Sequence, residues 1–302
     1  MNKFIFQILR HLLLTLALFS VYILIFDIFL NDHYKDKLFS KDLESTKILI
    51  TGTSHTLWGL DPTLFTYKTL NISEINKPTI IDLEIIKKYH KKIPSLEYVI
   101  IPIDYFTLFY TGDSDACAKR YWHHWVLTNK NSHLFHFIDC KIATPTDLFT
   151  QKNKLNNFDK QKNIYNSLND NTKMLKRIDA WHNHWMSIKN HLLISHEIHK
   201  FINFCKSKNI KIIFVQMPTP RSTQKQFKLK YTSITSKHLQ LFSNYSNTFI
   251  INYNKFPVFN NDSLFNDCDH LNFKGAKIAS CILNNEILTI ASKSNQTHQG
   301  SN

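Results

Sequence analysis

Two short polar motifs bracket the larger part of this 302-residue chain. Gly-Thr-Ser-His at residues 52–55 follows an apolar run, and Asp-Cys-Asp-His at residues 267–270 precedes a helix-like C-terminal segment. A serine hydroxyl becomes a nucleophile when a neighbouring base accepts its proton, and the pKa of histidine suits that task. An aspartate beside the imidazole holds its tautomer and stabilises the imidazolium. The motifs therefore predict Ser54 as nucleophile, His270 as base and Asp267 as orienting acid.

The segments around the motifs predict where they meet. Residues 47–51 form an apolar run that predicts a buried strand. Gly52 permits a sharp turn after it, so Ser54 is expected at the C-terminal edge of the sheet, where α/β proteins place their chemistry. Each motif alone also has a structural interpretation, because Ser54 can cap a helix and Asp267 can cap the last one beside a solvated His270. Their joint occurrence in this order favours catalysis.

At these residues the chain resembles the SGNH, or GDSL-type, hydrolase and acyltransferase superfamily. The first block of that superfamily, Gly-Asp-Ser, corresponds to residues 52–54, and its last block, Asp-x-x-His, corresponds to residues 267–270. Residues 271–276 also resemble the usual continuation into the last helix. The resemblance implies acyl-ester chemistry that requires no metal and no organic cofactor.

The oxyanion donors of that superfamily have no direct counterpart. Its second block offers a glycine amide and its third an asparagine amide, whereas residues 101–106 read Ile-Pro-Ile-Asp-Tyr-Phe. An ionised carboxylate at Asp104 cannot donate a hydrogen bond to an oxyanion. We therefore predict Asn76 or Asn71 as side-chain donor, with the backbone N–H of Ser54 as the second donor.

The N-terminus predicts a membrane anchor. Residues 12–30 are apolar except for Asp27, and about 20 such residues span a bilayer. No small-residue cleavage site follows, so we expect an uncleaved helix. Three lysines between residues 35 and 41 weaken the positive-inside contrast. The Ser-His and Pro-x-Asp-Tyr-Phe variants resemble membrane-anchored bacterial members tied to surface polysaccharides, which favours a body outside the cytoplasmic membrane.

Charge and cysteine usage restrict the partners. The chain has 37 Lys+Arg against 23 Asp+Glu, a net charge of +14, but its lysines are scattered and form no arginine-rich arm or nucleic-acid module. We predict no nucleic-acid partner, while anionic glycans or an anionic membrane surface stay open. Of five cysteines, Cys117 and Cys140 can pair in an oxidising periplasm or remain free. Cys268 is interpreted as a small buried apolar residue.

Alternation of strand-like and helix-like runs predicts a doubly wound, parallel α/β sheet in three layers, preceded by one transmembrane helix. We divide the chain into a stub and anchor (1–31), a linker (32–46), an α/β domain (47–293) with an insertion at about 111–185, and a disordered tail (294–302). The expected strands are 47–51, 98–103, 210–216 and 248–253, and the expected helices are 79–92, 186–208, 231–243 and 275–292.

The insertion carries two aromatic and histidine clusters, at residues 121–125 and 181–185. Indoles stack on sugar rings and histidines bond hydroxyls, so these clusters are a candidate glycan-binding wall over the Ser54 site. The alternative is that the tryptophans pack the insertion onto the sheet. Zinc binding by His123, His124, His182 and His184 lacks a cysteine or acidic partner at ligand spacing. The substrate-binding candidates are His55, taken as a pocket wall and not as the base, Asp104, Trp122, His123, Trp125 and Arg221.

Together these patterns favour a membrane-anchored acyl-ester hydrolase or O-acyltransferase that acts on a surface polysaccharide. The alternative is a non-catalytic glycan-binding or assembly protein that retains the fold without an effective oxyanion hole. A structural envelope protein with chance motifs is the third interpretation.

Overall fold

The computed structural model describes residues 2–38, 43–75, 77–112 and 171–299. Its strands are β1 (Ile48–Ile50), β2 (Thr69–Asn71), β3 (Tyr98–Pro102), β4 (Lys211–Gln216) and β5 (Thr248–Asn252). Its α-helices are α1 (Asn2–Leu38), α2 (Ser54–Gly59), α3 (Thr79–Tyr89), α4 (Asn171–Ala180), α5 (Asn190–Ser207), α6 (Arg221–Gln224), α7 (Leu229–Phe242) and α8 (Phe273–Gln299). A π-helical turn (Trp181–Trp185) follows α4.

The strands form one parallel sheet of five strands in the order β2-β1-β3-β4-β5. The chain leaves β1 toward β2 on one side and returns to β3 on the other. The sheet is therefore doubly wound, and the loops that follow β1 and β3 separate at their C-terminal ends, where open sheets of this kind bind ligands. This arrangement confirms the predicted fold class.

Alternate strand residues point to opposite faces of the sheet and bury two separate cores. One face, with Leu49, Val99 and Phe214, packs against α3, α5 and α7. The other, with Ile50, Ile100 and Val215, packs against α8. Both faces are covered by helices, so the near-continuous apolar runs of the strands are buried on both sides. The result is the three-layer architecture expected from the sequence.

The turn after β1 depends on glycine. Gly52 has φ +116°, which L side chains rarely adopt, and a Cβ there would overlap the ring of Pro102 at the end of β3. The next residue, Thr53, is the N-cap of α2, and its hydroxyl accepts a hydrogen bond from the N–H of His55. Ser54 is thus the first residue of α2 and is not its cap, so the structural interpretation of this serine does not hold.

The helix α1 is long and apolar enough to span a membrane over residues Lys3–Tyr22, 20 residues with mean hydropathy 1.9. This stretch begins earlier than the predicted span at residues 12–30. Most of its described side chains are exposed on the isolated chain, while Phe19 and Tyr22 are half-buried and Tyr22 packs against the core.

Several predicted boundaries are corrected. The edge strand β2 was not predicted, and its three residues are only half-buried. The helix expected from residue 186 begins at Asn190, because the preceding π-helical turn ends at Trp185. The last helix continues to Gln299, so residues 294–299, predicted as disordered, are helical. The helix α4 belongs to the predicted insertion. Cys117 and Cys140 lie outside the described residues.

We expect Gly52→Ala to lower the free energy of unfolding by roughly 2–4 kcal/mol, because the methyl group adds both backbone strain and overlap with Pro102. Denaturant titration of the full-length protein in detergent measures the change. Gly59→Ala is the matched control, since its methyl group meets the flexible end of Met217. Equal losses for the two variants would contradict the role given to Gly52.

Candidate active site

Ser54, His270 and Asp267 form a hydrogen-bonded chain. The Ser54 Oγ lies 2.9 Å from His270 Nε2, and the other ring nitrogen, Nδ1, lies 2.8 Å from Asp267 Oδ2. The carboxylate also accepts the backbone N–H groups of Asp269 and His270, at 2.9 and 2.7 Å, so it holds its own turn in shape. The structure therefore brings together the three residues predicted as nucleophile, base and acid, in the order a triad requires.

Packing fixes the plane of the His270 ring. The indole of Trp58, on α2, meets it edge-on with ring centroids 4.6 Å apart. The ring of His55 meets it edge-on at 5.1 Å. Because His270 is also buried, few other orientations are open to it. The helix that carries the nucleophile thus also supplies two of the walls that hold the base.

His55 is bridged between two carboxylates. Its Nδ1 lies 3.0 Å from Asp104 Oδ2 and its Nε2 lies 3.1 Å from Asp269 Oδ2, with all three side chains buried. Burial lowers the pKa of His55, but hydrogen bonds and charge from Asp104 and Asp269 outweigh it and raise the pKa to about 10. His55 is therefore an imidazolium at neutral pH. A cation that donates from both nitrogens cannot serve as the base.

Asp269 connects this bridge to the triad. Its Oδ1 lies 3.1 Å from His270 Nδ1, and its Oδ2 contacts His55 at 3.1 Å. The same Oδ2 forms an ion pair with Arg177, whose Nε is 3.2 Å away. Burial raises the pKa of Asp269, but the positive charge and hydrogen bonds of His270, His55 and Arg177 dominate and hold it well below its usual range. The two carboxylates of the motif, Asp267 and Asp269, are therefore both placed to stabilise a positive charge on His270.

Three residues of the site were not predicted: Trp58, Arg177 and Asp269. Arg177, on α4, also places Nη1 3.9 Å from Asp267 Oδ2. No sequence pattern links it to the motif, because the contact arises only when α4 folds over the sheet edge. Asp269 lies inside the quoted motif, but the Asp-x-x-His spacing draws attention to Asp267 alone.

The predicted oxyanion donors are not supported. The Nδ2 of Asn71 donates to the carbonyls of Thr56 and Leu60, both at 3.1 Å, and its Oδ1 accepts from Ser73 N–H. The prediction for Asn71 is wrong, because its amide fastens the end of α2 to β2. Asn76 lies outside the described residues. The backbone N–H of Ser54, at the first position of α2, remains the candidate donor, since the first N–H groups of a helix have no intrahelical acceptor.

The predicted substrate-binding residues have mixed outcomes. Asp104 was expected to bond a turn or a substrate hydroxyl. Its Oδ1 accepts Met217 N–H at 2.8 Å and its Oδ2 contacts His55, while a contact with a substrate hydroxyl stays a prediction. His55 lines a cavity, and its role as the wall of a substrate pocket stays a prediction. Arg221 is exposed and donates from Nε to Asn260 at 2.9 Å, outside that cavity. Trp122, His123 and Trp125 lie outside the described residues.

The second aromatic and histidine cluster packs onto the sheet. Trp181 is buried among Tyr105 and Phe106, and His182 Nε2 lies 2.6 Å from Tyr105 Oη. Burial and the charges of Lys228 and Lys230 lower the pKa of His182. For this cluster, therefore, the packing interpretation fits the described contacts.

One group of described side chains has the composition and spacing of metal ligands, but its members bond to one another and to neighbouring carboxylates. One ligand atom each of His55, Asp269 and His270 lie within 4.8 Å of one another. A metal would require an unprotonated His55. The elevated pKa of that ring and its two carboxylate bonds favour a hydrogen-bonded network in this place.

A cavity of about 230 Å³ opens beside His55 and Asp104. Its lining includes the last residues of β4 and β5, Gln216 and Asn252, at the edge where doubly wound sheets bind ligands. The cavity therefore shares a wall with the site that holds Ser54. It is called the side cavity below.

No protein-family model matches the chain, and no curated protein matches it significantly. Solved structures that are similar include a GDSL-like lipase from Bacteroides thetaiotaomicron, 12% identical over 87% of this chain and 99% of that chain, with a TM-score of 0.44. A Bacteroides fragilis protein whose name suggests an acylhydrolase is 11% identical over 82% and 88%, with a TM-score of 0.40. A Streptococcus pneumonia protein whose name suggests a platelet activating factor is 8% identical over 90% and 98%, with a TM-score of 0.43.

The described geometry unites the two sequence motifs. A doubly wound parallel sheet carries a serine after its first strand and Asp-x-x-His before its last helix, with the three side chains in hydrogen-bond contact. This arrangement is similar to that of the SGNH-type superfamily that the two motifs resemble.

The charge on His55 makes stability depend on pH. Because its pKa is raised from 6.5 to about 10, its stabilising contribution is complete below pH 6.5 and is lost as pH rises through about 10. We expect the free energy of unfolding of the wild type to fall across this window by up to about 1.4 kcal/mol per pH unit more than that of His55→Asn. Urea titrations between pH 6 and pH 10.5 measure both slopes.

The control for this comparison is His196→Asn, at an exposed position of α5, which should keep the wild-type slope. Parallel pH profiles for the wild type and His55→Asn would show that His55 is not held as an imidazolium.

Proposed function

We propose that this chain is a membrane-anchored acyl-ester hydrolase or O-acyltransferase that acts on a cell-surface glycan. The observation that supports it most is the pair of contacts from His270, 2.9 Å to the Ser54 hydroxyl and 2.8 Å to Asp267. A buried base held between a serine and a carboxylate has the geometry of nucleophilic acyl transfer.

In this mechanism Ser54 Oγ attacks the acyl carbonyl while His270 Nε2 takes its proton. Asp267 and Asp269 stabilise the imidazolium, and the backbone N–H of Ser54 donates to the carbonyl oxygen as it gains negative charge. Collapse of the tetrahedral species expels the alcohol, which receives the proton from His270. A serine ester remains, with the acyl carbon now bonded to Ser54.

The second half-reaction reverses the roles with a new hydroxyl group. Water or a glycan hydroxyl gives its proton to His270 and attacks the carbonyl of the serine ester. As the bond between the acyl carbon and Ser54 Oγ breaks, His270 returns that proton to Ser54 Oγ, and the product is a free acid or a new ester. The choice depends on how far water is excluded from the site. Because the site lies at the sheet edge beside the side cavity, an acceptor bound in that cavity would compete with water at short range.

The anchor supports an extracytoplasmic location. The stretch Lys3–Tyr22 is long and apolar enough to cross a bilayer, so α1 would hold the α/β domain near the membrane. We propose that the N-terminus is cytoplasmic and the domain lies outside the cytoplasmic membrane, within reach of surface polysaccharide.

A second proposal is a glycan-binding or assembly protein without turnover. It is supported by the engaged amide of Asn71 and by the carboxylate at Asp104, both of which stand where an SGNH-type enzyme would need a donor. With the Ser54 N–H as the single candidate donor among the described residues, oxyanion stabilisation would be weak. Removal of one such donor from other enzymes lowers kcat by about 10²–10³.

Replacement of Ser54 by Ala separates these proposals. An enzyme should lose turnover of 4-nitrophenyl acetate by at least about 10³, because no other group near His270 replaces the nucleophile. Ser263→Ala, at an exposed serine, is the control and should retain wild-type turnover. Mass spectrometry should also locate a serine-directed phosphonate on Ser54. An unlabelled Ser54 in folded wild-type protein, with no ester turnover, would favour the binding protein.

The location is tested with a fusion after residue 46. Alkaline phosphatase, which is active outside the cytoplasm, should give activity, and the full-length protein should remain in membranes after carbonate washing. A β-galactosidase fusion at the same residue is the reciprocal control and should be inactive. Release of a soluble, N-terminally shortened protein would show that α1 is a cleaved signal.

A further inference from the structure

One edge of the sheet, where the strands begin, is lined with lysines. The strands β1 to β4 are parallel and pair in register from their first residues. Backbone hydrogen bonds cross their starts: Lys47 N–H donates to Lys68 O, and Glu97 N–H donates to Lys47 O, both at 2.9 Å. The N–H of Lys211 donates in turn to Glu97 O at 2.9 Å. These four residues therefore form a row at one end of the sheet, which is called the basal edge below.

The helices α3 and α5 bring further lysines to the basal edge. In the chain α3 follows β2 and α5 precedes β4, so each helix runs against the strands and ends where the next strand begins. Near these ends the rings of His90 and Phe204 meet edge-on with centroids 5.0 Å apart. The lysines of the basal edge are half-buried at Lys47 and Lys211 and exposed at Lys68, Lys88, Lys91, Lys92, Lys206 and Lys208.

Acidic residues do not balance these lysines in the described part of the chain. At the basal edge Glu97 pairs with Lys47 at 2.6 Å, and Glu44 is exposed shortly before β1. On α8, Glu286 and Lys293 offset each other in charge. The basal edge therefore carries a net positive charge.

Helix dipoles explain only part of this pattern. A cation stabilises the C-terminus of a helix, but the effect is confined to the last turn. Lys88 and Lys206 lie in the last turns of α3 and α5, whereas Lys91 and Lys92 follow the end of α3 and Lys68 precedes β2. Capping of helices therefore does not account for the whole row.

Tyrosine rings lie beside several of these lysines. The Lys47 Nζ is 5.1 Å from the centre of the Tyr67 ring, and the Tyr89 ring has Lys88 Nζ at 5.3 Å and Lys92 Nζ at 6.0 Å. Both tyrosines are half-buried. Tyrosine is enriched at the headgroup level of membranes, and the long lysine side chain reaches toward charged groups from an apolar base. The composition of the basal edge therefore matches a membrane interface.

The chain connects the basal edge to the proposed anchor. Nine residues, 39–47, separate the end of α1 at Leu38 from the start of β1 at Ile48. A fully extended segment of that length spans about 30 Å at most. Because α1 is long and apolar enough to cross a bilayer, the basal edge is tethered within reach of the membrane surface.

We propose that the basal edge docks on the anionic phosphate headgroups of the bilayer in which α1 is anchored. This inference rests on the proposed membrane anchor and deepens it. Each lysine near an anionic surface adds to the attraction, which decays within a Debye length, so the short tether and the net positive charge act together. Ser54 lies at the opposite, C-terminal edge of the sheet. Docking therefore turns the catalytic serine away from the bilayer, toward esters carried by glycans and not toward membrane lipids.

The experiment maps the docked face on full-length protein in lipid nanodiscs. Each lysine is acetylated with sulfo-N-hydroxysuccinimide acetate, and mass spectrometry measures its rate in discs of phosphatidylglycerol and of phosphatidylcholine. The exposed lysines of the basal edge should react roughly fivefold more slowly in phosphatidylglycerol discs, because anionic headgroups hold their ammonium groups. Exposed lysines after the C-terminal ends of the strands, Lys225, Lys228 and Lys230, should react equally in both discs. About 0.5 M NaCl should remove the difference at the basal edge.

Two triple variants with the same change in net charge test which face docks. Lys88→Glu with Lys91→Glu and Lys92→Glu should return the rates of Lys206 and Lys208 in phosphatidylglycerol discs to those in phosphatidylcholine discs. Lys225→Glu with Lys228→Glu and Lys230→Glu should leave the protection of Lys206 and Lys208 at the wild-type level. Equal loss of protection in both triple variants would show that net charge acts without a docked face, and the proposal would be overturned.

The remaining outcomes separate this inference from the anchor and from the enzyme. Protein that stays in discs of both lipids, with equal acetylation rates in each, would overturn docking and leave the anchor intact. Protection in phosphatidylglycerol discs by a protein that salt releases from them would support docking and overturn the anchor. Protection in a protein without turnover of 4-nitrophenyl acetate would support docking and overturn the enzyme. Protection by dextran sulfate over phosphatidylcholine discs, with none from phosphatidylglycerol, would make the basal edge a site for anionic glycans and overturn lipid docking.

Discussion

The geometry of the site depends on one buried imidazolium. His55 is joined to Asp104 after β3 and to Asp269 before α8, and it is the neighbour of Ser54 on α2. One charged ring thus ties together three segments that are far apart in the sequence. Because Asp269 is also the neighbour of His270, the same ring sets the distance between nucleophile and base. The reacting residues, Ser54 and His270, are thus positioned by the contact between their chain neighbours, His55 and Asp269.

The contacts of His55 with Asp104 and Asp269 have an electrostatic cost, because they bring three carboxylates, those of Asp104, Asp267 and Asp269, together in one buried place. Burial opposes the ionisation of Asp269. The positive groups nearby, His55 and Arg177, offset that cost. Buried ion pairs seldom add much net stability, because desolvation consumes most of the Coulombic gain. The network therefore mainly fixes the geometry of the site. His270 Nε2 faces the Ser54 hydroxyl and can accept its proton.

The turn that presents Ser54 rests on a second buried ion pair. Lys77 Nζ lies 2.6 Å from Asp82 Oδ1, with both side chains fully buried beneath the turn. Burial raises the pKa of Asp82. The charge of Lys77 and a hydrogen bond from the backbone of Gly52 lower it, and the resulting pKa of Asp82 is about 7. Gly52 thus meets Pro102 on one side and this carboxylate on the other. A bulkier residue does not fit that environment, whereas glycine adopts this backbone conformation without strain.

Much of the fold, but only part of the site, could be predicted from the sequence. The four longer apolar runs became strands, because burial on both faces leaves a continuous signal, whereas the half-buried edge strand β2 leaves none. Ser54, Asp267 and His270 stand in short motifs with local spacing. The bridge from His55 to Asp104 and the approach of Arg177 join distant segments, and no local pattern encodes them. The prediction of Asn71 as an oxyanion donor is wrong because a side-chain amide can donate equally well to the carbonyls at the end of a helix.

The charged groups around His55 and His270 are paired with one another. Asp104 and Asp269 hold His55, Asp269 also contacts His270, and Arg177 forms an ion pair with Asp269. Because these charges are paired within the protein, the geometry of Ser54 and His270 does not depend on the substrate. Substrate selectivity would therefore arise outside this network, on the surfaces that a substrate reaches.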